Sequence, residues 1–267
     1  MLDENTIHFG DCLEVMKHIP KDSVDMVFCD LPYNQTQNKW DSPIDLEKLW
    51  AEYKRIGKDN CAYVLTASSP FDKILGMSNI KWYKYEWIWV KNKSTGFLNA
   101  KKMPLKNHEN VLVFYKKQPI YNPQKTTGHK PVNSYTKNTS DGSTYGDTKT
   151  GVRGGGQTDR YPKTVQEFKV INNDNSGEEP RLISTQKPLE LVQYMIRTYS
   201  NPGEIVLDNC IGSGTTAIAS INENRRFWGI EKDEENFEIS TNRLKAHLKS
   251  KGFTQDNPYL PSKSLVE

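Results

Sequence analysis

At 267 residues the chain is long enough for one large α/β domain with a sizeable core, and its formal net charge of +3 argues neither for nor against nucleic acid. No apolar run reaches the length of a bilayer span, and residues 1–20 carry acids and a histidine where a signal peptide would be apolar, so the chain reads as cytoplasmic. Four cysteines, Cys12, Cys29, Cys61 and Cys210, lack CxxC spacing and read as buried, reduced thiols, so no metal site is expected.

In chain order, Thr6 to Phe9 reads as a short strand ending at Gly10-Asp11, with Asp11 capping a helix from Cys12 to His18. Val24 to Cys29 is an apolar strand whose end carries Asp30-Leu31-Pro32-Tyr33. In open α/β sheets ligand chemistry gathers outside the carboxyl ends of strands, which makes Asp30 a candidate. A polar loop to Pro43, an amphipathic helix from Asp45 to Ile56, a strand from Ala62 to Thr66 and a short helix from Phe71 to Gly76 follow. Tyr83, Tyr85, Trp87 and Trp89 then alternate with Lys84, Glu86, Ile88 and Val90. That is the period of a strand, and packing is favoured over a base-stacking platform. Lys91 to Lys106 is expected to be a lysine-rich loop, and Asn110 to Tyr115 a further strand. His108-Glu109 lacks the second histidine of a zinc-protease helix and is given no metal role.

From Lys116 to about Val170 apolar periodicity nearly vanishes. This window holds ten Lys/Arg against four Asp/Glu, a net of +6 in a chain of net +3, so the remainder is slightly acidic. A basic, tyrosine-bearing insertion on an acidic core suits phosphates and bases, the bland alternative being a solvated loop. Arg153 and Arg160 are its candidates for base edges, while Lys91, Lys101 and Lys102 in the preceding loop are candidates for phosphates.

Beyond the insertion, Ser184-Thr185-Gln186-Lys187-Pro188 leads into a helix from Leu189 to Tyr199. After a Pro202-Gly203 turn, a β-branched run from Ile205 to Leu207 stops at Asp208. A tight turn, Ile211-Gly212-Ser213-Gly214, opens a helix at Thr215, and a second strand, Phe227 to Ile230, ends in Glu231. Strand, glycine turn, helix, strand and acid form half of a doubly wound nucleotide-binding fold, in which glycines admit a ligand to the backbone and the acid meets ribose hydroxyls. The third glycine of a dinucleotide fingerprint and the Gly-Lys-Ser/Thr ending of a P-loop are both missing, so NAD and ATP are poor fits. A charged amphipathic helix from Asp233 to Leu248 and a loosely held polar tail close the chain.

Asp-Leu-Pro-Tyr at a strand end, then Thr-Gln-Lys-Pro, then Leu-Asp-x-x-x-Gly-Ser-Gly-Thr-Thr resembles the β class of amino-group DNA methyltransferases over about Ile7 to Leu248. The resemblance implies an α/β fold, a doubly wound, mostly parallel Rossmann-like sheet with an inserted target-recognition region. It implies S-adenosylmethionine (SAM) as cofactor, double-stranded DNA as partner, and a bacterial or phage origin; a restriction endonuclease partner and a homodimer are compatible with it. It divides the chain into a catalytic half (1–115), the inserted region (116–180), a SAM-binding half (181–250) and a tail (251–267).

Roles follow from the same resemblance. Asp11 and Cys12 would border the adenine ring of SAM, Glu231 would hold its ribose, and Gly212, Ser213, Gly214 and Thr215 would lie along it. Asp208 would meet the methionine ammonium, and Thr185 and Lys187 its carboxylate. The Asp30 carboxylate and the Leu31 carbonyl would accept the two N–H bonds of a flipped-out base amine, with Pro32 stiffening the turn and Tyr33 stacking on the base. Members acting on adenine mostly carry Asp before x-Pro-Tyr and those acting on cytosine mostly Ser, so adenine N6 is expected. Cytosine N4 is the alternative within the class, and a catalytically silent SAM- or nucleic-acid-binding module the alternative outside it. Two departures stand out. Asp208-Asn209-Cys210 replaces the usual Asp-Pro-Phe, and Ile183-Ser184 replaces the His-Pro that usually precedes Thr-Gln-Lys-Pro.

Overall fold

The computed structural model describes residues 2–33, 43–137, 151–171 and 180–252. The polar loop expected before Pro43 and the C-terminal tail fall almost wholly outside the described residues.

Strand β1 (Thr6–Phe9) passes at once into helix α1 (Cys12–Met16), whose N-cap Asp11 accepts hydrogen bonds from Leu13 N and Glu14 N at 2.9 and 3.4 Å. Helix α2 (Leu46–Ile56) connects β2 (Val24–Asp30) to β3 (Gly57–Ala67), and it buries Leu49, Trp50, Tyr53 and Ile56 along one stripe. Helix α3 (Phe71–Ser78) leads to β4 (Tyr83–Thr95), and β5 (Lys106–Phe114) runs back antiparallel to both β4 and β3. Strands β6 (Tyr135–Lys137), β7 (Val152–Gly154) and β8 (Val165–Glu167) follow. Helix α4 (Leu189–Tyr199), β9 (Ile205–Asp208), α5 (Thr215–Asn222), β10 (Arg226–Glu231) and α6 (Glu234–Ser250) complete the chain.

Eight strands form one sheet in the order β1-β10-β9-β2-β3-β5-β4-β8, with β5 antiparallel to its neighbours and the other pairs parallel. The expected doubly wound, mostly parallel sheet is therefore present. Alternate residues of β2 feed opposite cores, as strand geometry requires. Val27 and Cys29 pack with Leu49 and Tyr53 of α2, while Met26 and Phe28 pack with Leu191, Val192 and Met195 of α4. Because β9 lies beside β2, with Val27 opposite Leu207, the chain brings Asp30 and Asp208 to the same carboxyl edge although 178 positions in sequence separate them.

Three local expectations need correction. Strand β4 does not end at Val90 but runs on to Thr95, paired with Lys106 of β5, so Lys91 lies on a strand and not in a loop. The loop proper is shorter and holds a 3₁₀ turn at Phe97–Asn99. Val165–Glu167 also joins the main sheet, parallel to β4 at its edge; Val-Gln-Glu is too short and polar to announce itself by periodicity. The aromatic strand is packed: Trp87 and Trp89 are buried, and their indole N–H groups donate to Tyr199 Oη at 2.6 Å and to the Phe168 carbonyl at 2.8 Å.

Pro123–Lys163 forms a compact unit of its own, inside the stretch 116–180 that the sequence marks as inserted. It contains the β6–β7 ribbon and a backbone bridge between Thr126 and Arg160. No helix among the described residues is long and apolar enough to cross a membrane.

Candidate active site

At the carboxyl end of β2, Asp30 is the hub of a dense polar cluster. Its Oδ1 accepts hydrogen bonds from the Tyr33 hydroxyl and from Thr66 Oγ1, and its Oδ2 accepts from Lys187 Nζ. Thr66 stands directly beside Asp30 in the β2–β3 register, so two neighbouring strand ends fix the carboxylate. Pro32 follows, and Tyr33 lies with its ring stacked on Phe71 at 5.2 Å between centroids. Burial, followed by the negative Asp30 and Glu109, holds the Tyr33 phenol well above its ordinary pKa, so it stays a neutral donor.

Lys187 joins this cluster from the stretch before α4. Its ammonium bridges Asp30 and Glu109, whose Oε2 lies 3.5 Å away. Burial by itself would lower the Lys187 pKa, but the charges of Asp30 and Glu109 outweigh it and hold the lysine protonated. Glu109 in turn binds Lys91 through Oε1, and Lys91 also lies over the Trp89 ring at 4.7 Å. Burial alone would raise Glu109, yet the two lysines draw it below the usual carboxylate range. Glu109 and Thr66 belong to this cluster although the sequence did not announce them, because only sheet register sets Glu109 opposite Trp89 and Thr66 beside Asp30. Lys91, assigned from sequence to phosphates, has a side chain only 16% exposed and is a member of this buried cluster.

The glycine turn makes the second half of the site. Gly212 and Gly214 hold φ of +53° and +81°, and a Cβ on Gly214 would meet the backbone and side chain of Ser240 at 3.2–3.4 Å. Ser213 and Thr215 line the cavity, but Arg243 of α6 takes their hydroxyls at 3.2 and 2.9 Å and so clamps the turn. Glu231 Oε2 accepts from Gly212 N at 2.8 Å, and Oε1 accepts from Lys232 N and Asp233 N at 2.9 Å each. The acid at the strand end therefore organises the glycine turn and the start of α6, and burial raises its pKa. Asp208 is buried, with Thr216 Oγ1 donating at 2.5 Å and Cys210 N at 3.1 Å; burial still pushes its carboxyl up to about 7.

One cavity of about 560 Å³ joins the two halves and reaches Asp11, Cys12 and Thr185 as well. Its size suits a nucleoside-sized ligand together with a second ring. The chemistry of its donor set fits SAM: Glu231 for hydroxyls, Asp208 for an ammonium, and a glycine turn beside them. The departure at 209–210 has a structural counterpart, since Asn209 Oδ1 accepts from the buried Tyr53 hydroxyl at 2.5 Å and ties the turn to α2.

In the separate unit, Arg160 spends its guanidinium on the carbonyls of Gln157, Asp159 and Lys130, at 2.9, 2.8 and 2.5 Å. These bonds tie Lys130 to the stretch from Gln157 to Arg160 within that unit. Arg153 is exposed on β7, and Lys101 and Lys102 are exposed in the turn after β4, beside Phe97 and Leu98, whose apolar side chains are also exposed.

A family model described as DNA methylase matches residues 24–242. The DNA adenine methyltransferase YhdJ of Escherichia coli is 28% identical over 264 residues, spanning 91% of this chain and 83% of that protein. Among solved structures, the M1.HpyAVI–SAM complex superposes with a TM-score of 0.59 at 23% identity, over 90% of this chain and 98% of that one. The cytosine-N4-specific PvuII DNA methyltransferase gives a TM-score of 0.62 at 13% identity, over 91% of each chain. These two likenesses carry the fold.

Proposed function

The chain belongs to the family of N6 and N4 DNA methylases, and on that premise we propose that it methylates N6 of adenine in a base flipped out of double-stranded DNA, with SAM as donor. The supporting observation is that Asp30, the glycine turn and Glu231 line one cavity although three separate stretches of sequence supply them. When bound, SAM supplies a sulfonium methyl that bonds to the amine nitrogen as its carbon–sulfur bond breaks.

The chain's own residues solve the other half of the problem. An exocyclic amine is a poor nucleophile because its lone pair is delocalised into the ring. Asp30 and the Leu31 carbonyl would accept its two N–H bonds and turn the lone pair outward. Asp30 is also the first acceptor for the proton that the methylated nitrogen sheds. Thr66 and Tyr33 keep the carboxylate in position, and the cavity holds the partners in line, a proximity effect. Adenine is favoured over cytosine by the Asp at position 30, in line with the adenine methyltransferase among its relatives. Mass spectrometry of nucleosides from DNA treated with the purified protein and labelled SAM tests this. N6-methyladenine is expected; label in N4-methylcytosine alone moves the assignment to the other base.

Asp208 gives a pH prediction. Its raised pKa means that the cofactor-free protein gains stability from this group below about pH 4, and loses it as pH rises through about 7. An ammonium beside it favours the carboxylate, so SAM affinity should rise with pH up to about 7. It should fall again near 8, where an α-amino group loses its proton. Calorimetry across this range should show proton release on the acidic limb, and Asp208→Asn should remove that limb. An unchanged acidic limb in the variant takes Asp208 away from the ammonium.

The Pro123–Lys163 unit is proposed to set the recognition sequence. Arg153→Ala should relax sequence preference by about 1–3 kcal/mol at one base position and leave SAM binding alone. Single-molecule sequencing of DNA methylated in cells reads this directly, and the same sites at the same rates would exclude Arg153 from base readout.

A further inference from the structure

All three hydrogen bonds to Asp30 use the carboxylate that the amine is meant to occupy. Oδ1 already takes two hydroxyls, and Oδ2 is held by a buried ammonium. Oδ2 has room for one more donor, but an N–H approaching it meets the Lys187 ammonium on the same oxygen, and a buried ammonium displaced from it needs another acceptor. One is in place. Glu109 Oε2 is buried and lies 3.5 Å from Lys187 Nζ, an ion pair at the long limit of a hydrogen bond, and no other group among the described residues donates to it. A buried carboxylate oxygen so loosely paired gains when its donor moves closer. The other oxygen, Oε1, is pinned by Lys91, which fixes the direction in which Oε2 points.

We infer that Glu109 is a positioning residue that receives the Lys187 ammonium when the target amine takes its place on Asp30. The base amine thus enters by exchange: Lys187 swings from Asp30 Oδ2 to Glu109 Oε2 and remains paired throughout. With two acids and two lysines, the Asp30, Lys187, Glu109 and Lys91 cluster stays neutral before and after the exchange. The inference rests on the methyltransferase reading for its purpose, but the seat itself can be tested without substrate.

Two experiments decide it. In a crystal structure of Asp30→Ala without ligands, Lys187 Nζ should close on Glu109 Oε2 to about 2.7–2.9 Å, the length of a charge-assisted hydrogen bond. A lysine that stays at its present separation or turns to solvent overturns the inference. The second experiment is single-turnover transfer at saturating DNA and SAM. Glu109→Leu leaves one buried cation in excess, so the variant to rely on is Lys91→Met with Glu109→Leu, which restores neutrality and removes both acceptor oxygens of the seat. Its transfer rate should fall by about 10- to 100-fold, with SAM affinity and melting temperature near those of the wild type. A double variant as fast as the wild type excludes a positioning role. Wild-type protein that methylates no amine instead removes the methyltransferase reading, and the Asp30→Ala structure still decides where Lys187 goes.

Discussion

Asp30→Ala is expected to lower methyl transfer by at least about 10²–10³-fold, the scale of losing one preorganised group at a developing charge. SAM binding should remain near normal, because the partners of Asp30 are Tyr33, Thr66 and Lys187 and not the glycine turn. The variant leaves Lys187 and Lys91 to share Glu109, one cation in excess, so its melting temperature is measured alongside to show that it still folds. Asp30→Ser is the sharper probe. A hydroxyl can still accept one N–H bond, but more weakly than a carboxylate, and at most a trace of adenine activity should survive. Single-turnover transfer from labelled SAM, with calorimetry for cofactor affinity, measures both. An alanine variant retaining more than about a tenth of the wild-type rate is incompatible with Asp30 as the amine acceptor.

Glu231→Ala should weaken SAM binding by about 1.5–3 kcal/mol, the size of a charge-assisted hydrogen bond. The structure adds a second consequence. Three backbone N–H groups, those of Gly212, Lys232 and Asp233, lose their acceptor at once, so the melting temperature should fall as well. Glu231→Gln separates the two effects. Its single carbonyl oxygen can serve Lys232 and Asp233, but its amide would face Gly212 N with a donor, so the glycine turn should loosen while the start of α6 holds. Calorimetry of SAM binding beside thermal unfolding gives both numbers. Unchanged affinity in a folded alanine variant removes Glu231 from the cofactor site.

The chemistry-bearing ends of the strands were legible in sequence because each is a local pattern. Asp30-Leu31-Pro32-Tyr33 follows an apolar run, and a run of small residues and glycines separates Asp208 from its helix. Helix α4 coincides with the predicted Leu189 to Tyr199, bounded by Pro188 and the Pro202-Gly203 turn. What sequence could not supply were relations across the sheet. Glu109 looked like half of a failed zinc motif, and Lys91 like one more basic residue, until β4 and β5 set Trp89 opposite Glu109 and placed the Lys91 ammonium on its carboxylate.

The roles of individual side chains divide in the same way. Local rules gave Asp11 as a cap, Asp30 as an acid at a strand end and Ile211 to Gly214 as a tight turn before a helix, since neighbours in the chain determine these. Arg160 tied to three carbonyls, Asp208 raised by burial and Lys187 shared between two acids depend on distant residues meeting in a low-dielectric interior. Residue order alone named the type of chemistry and the order of its parts. Only the tertiary structure decided which charges are neighbours, because hydrogen-bond register and burial, and not sequence distance, set how strongly two groups interact.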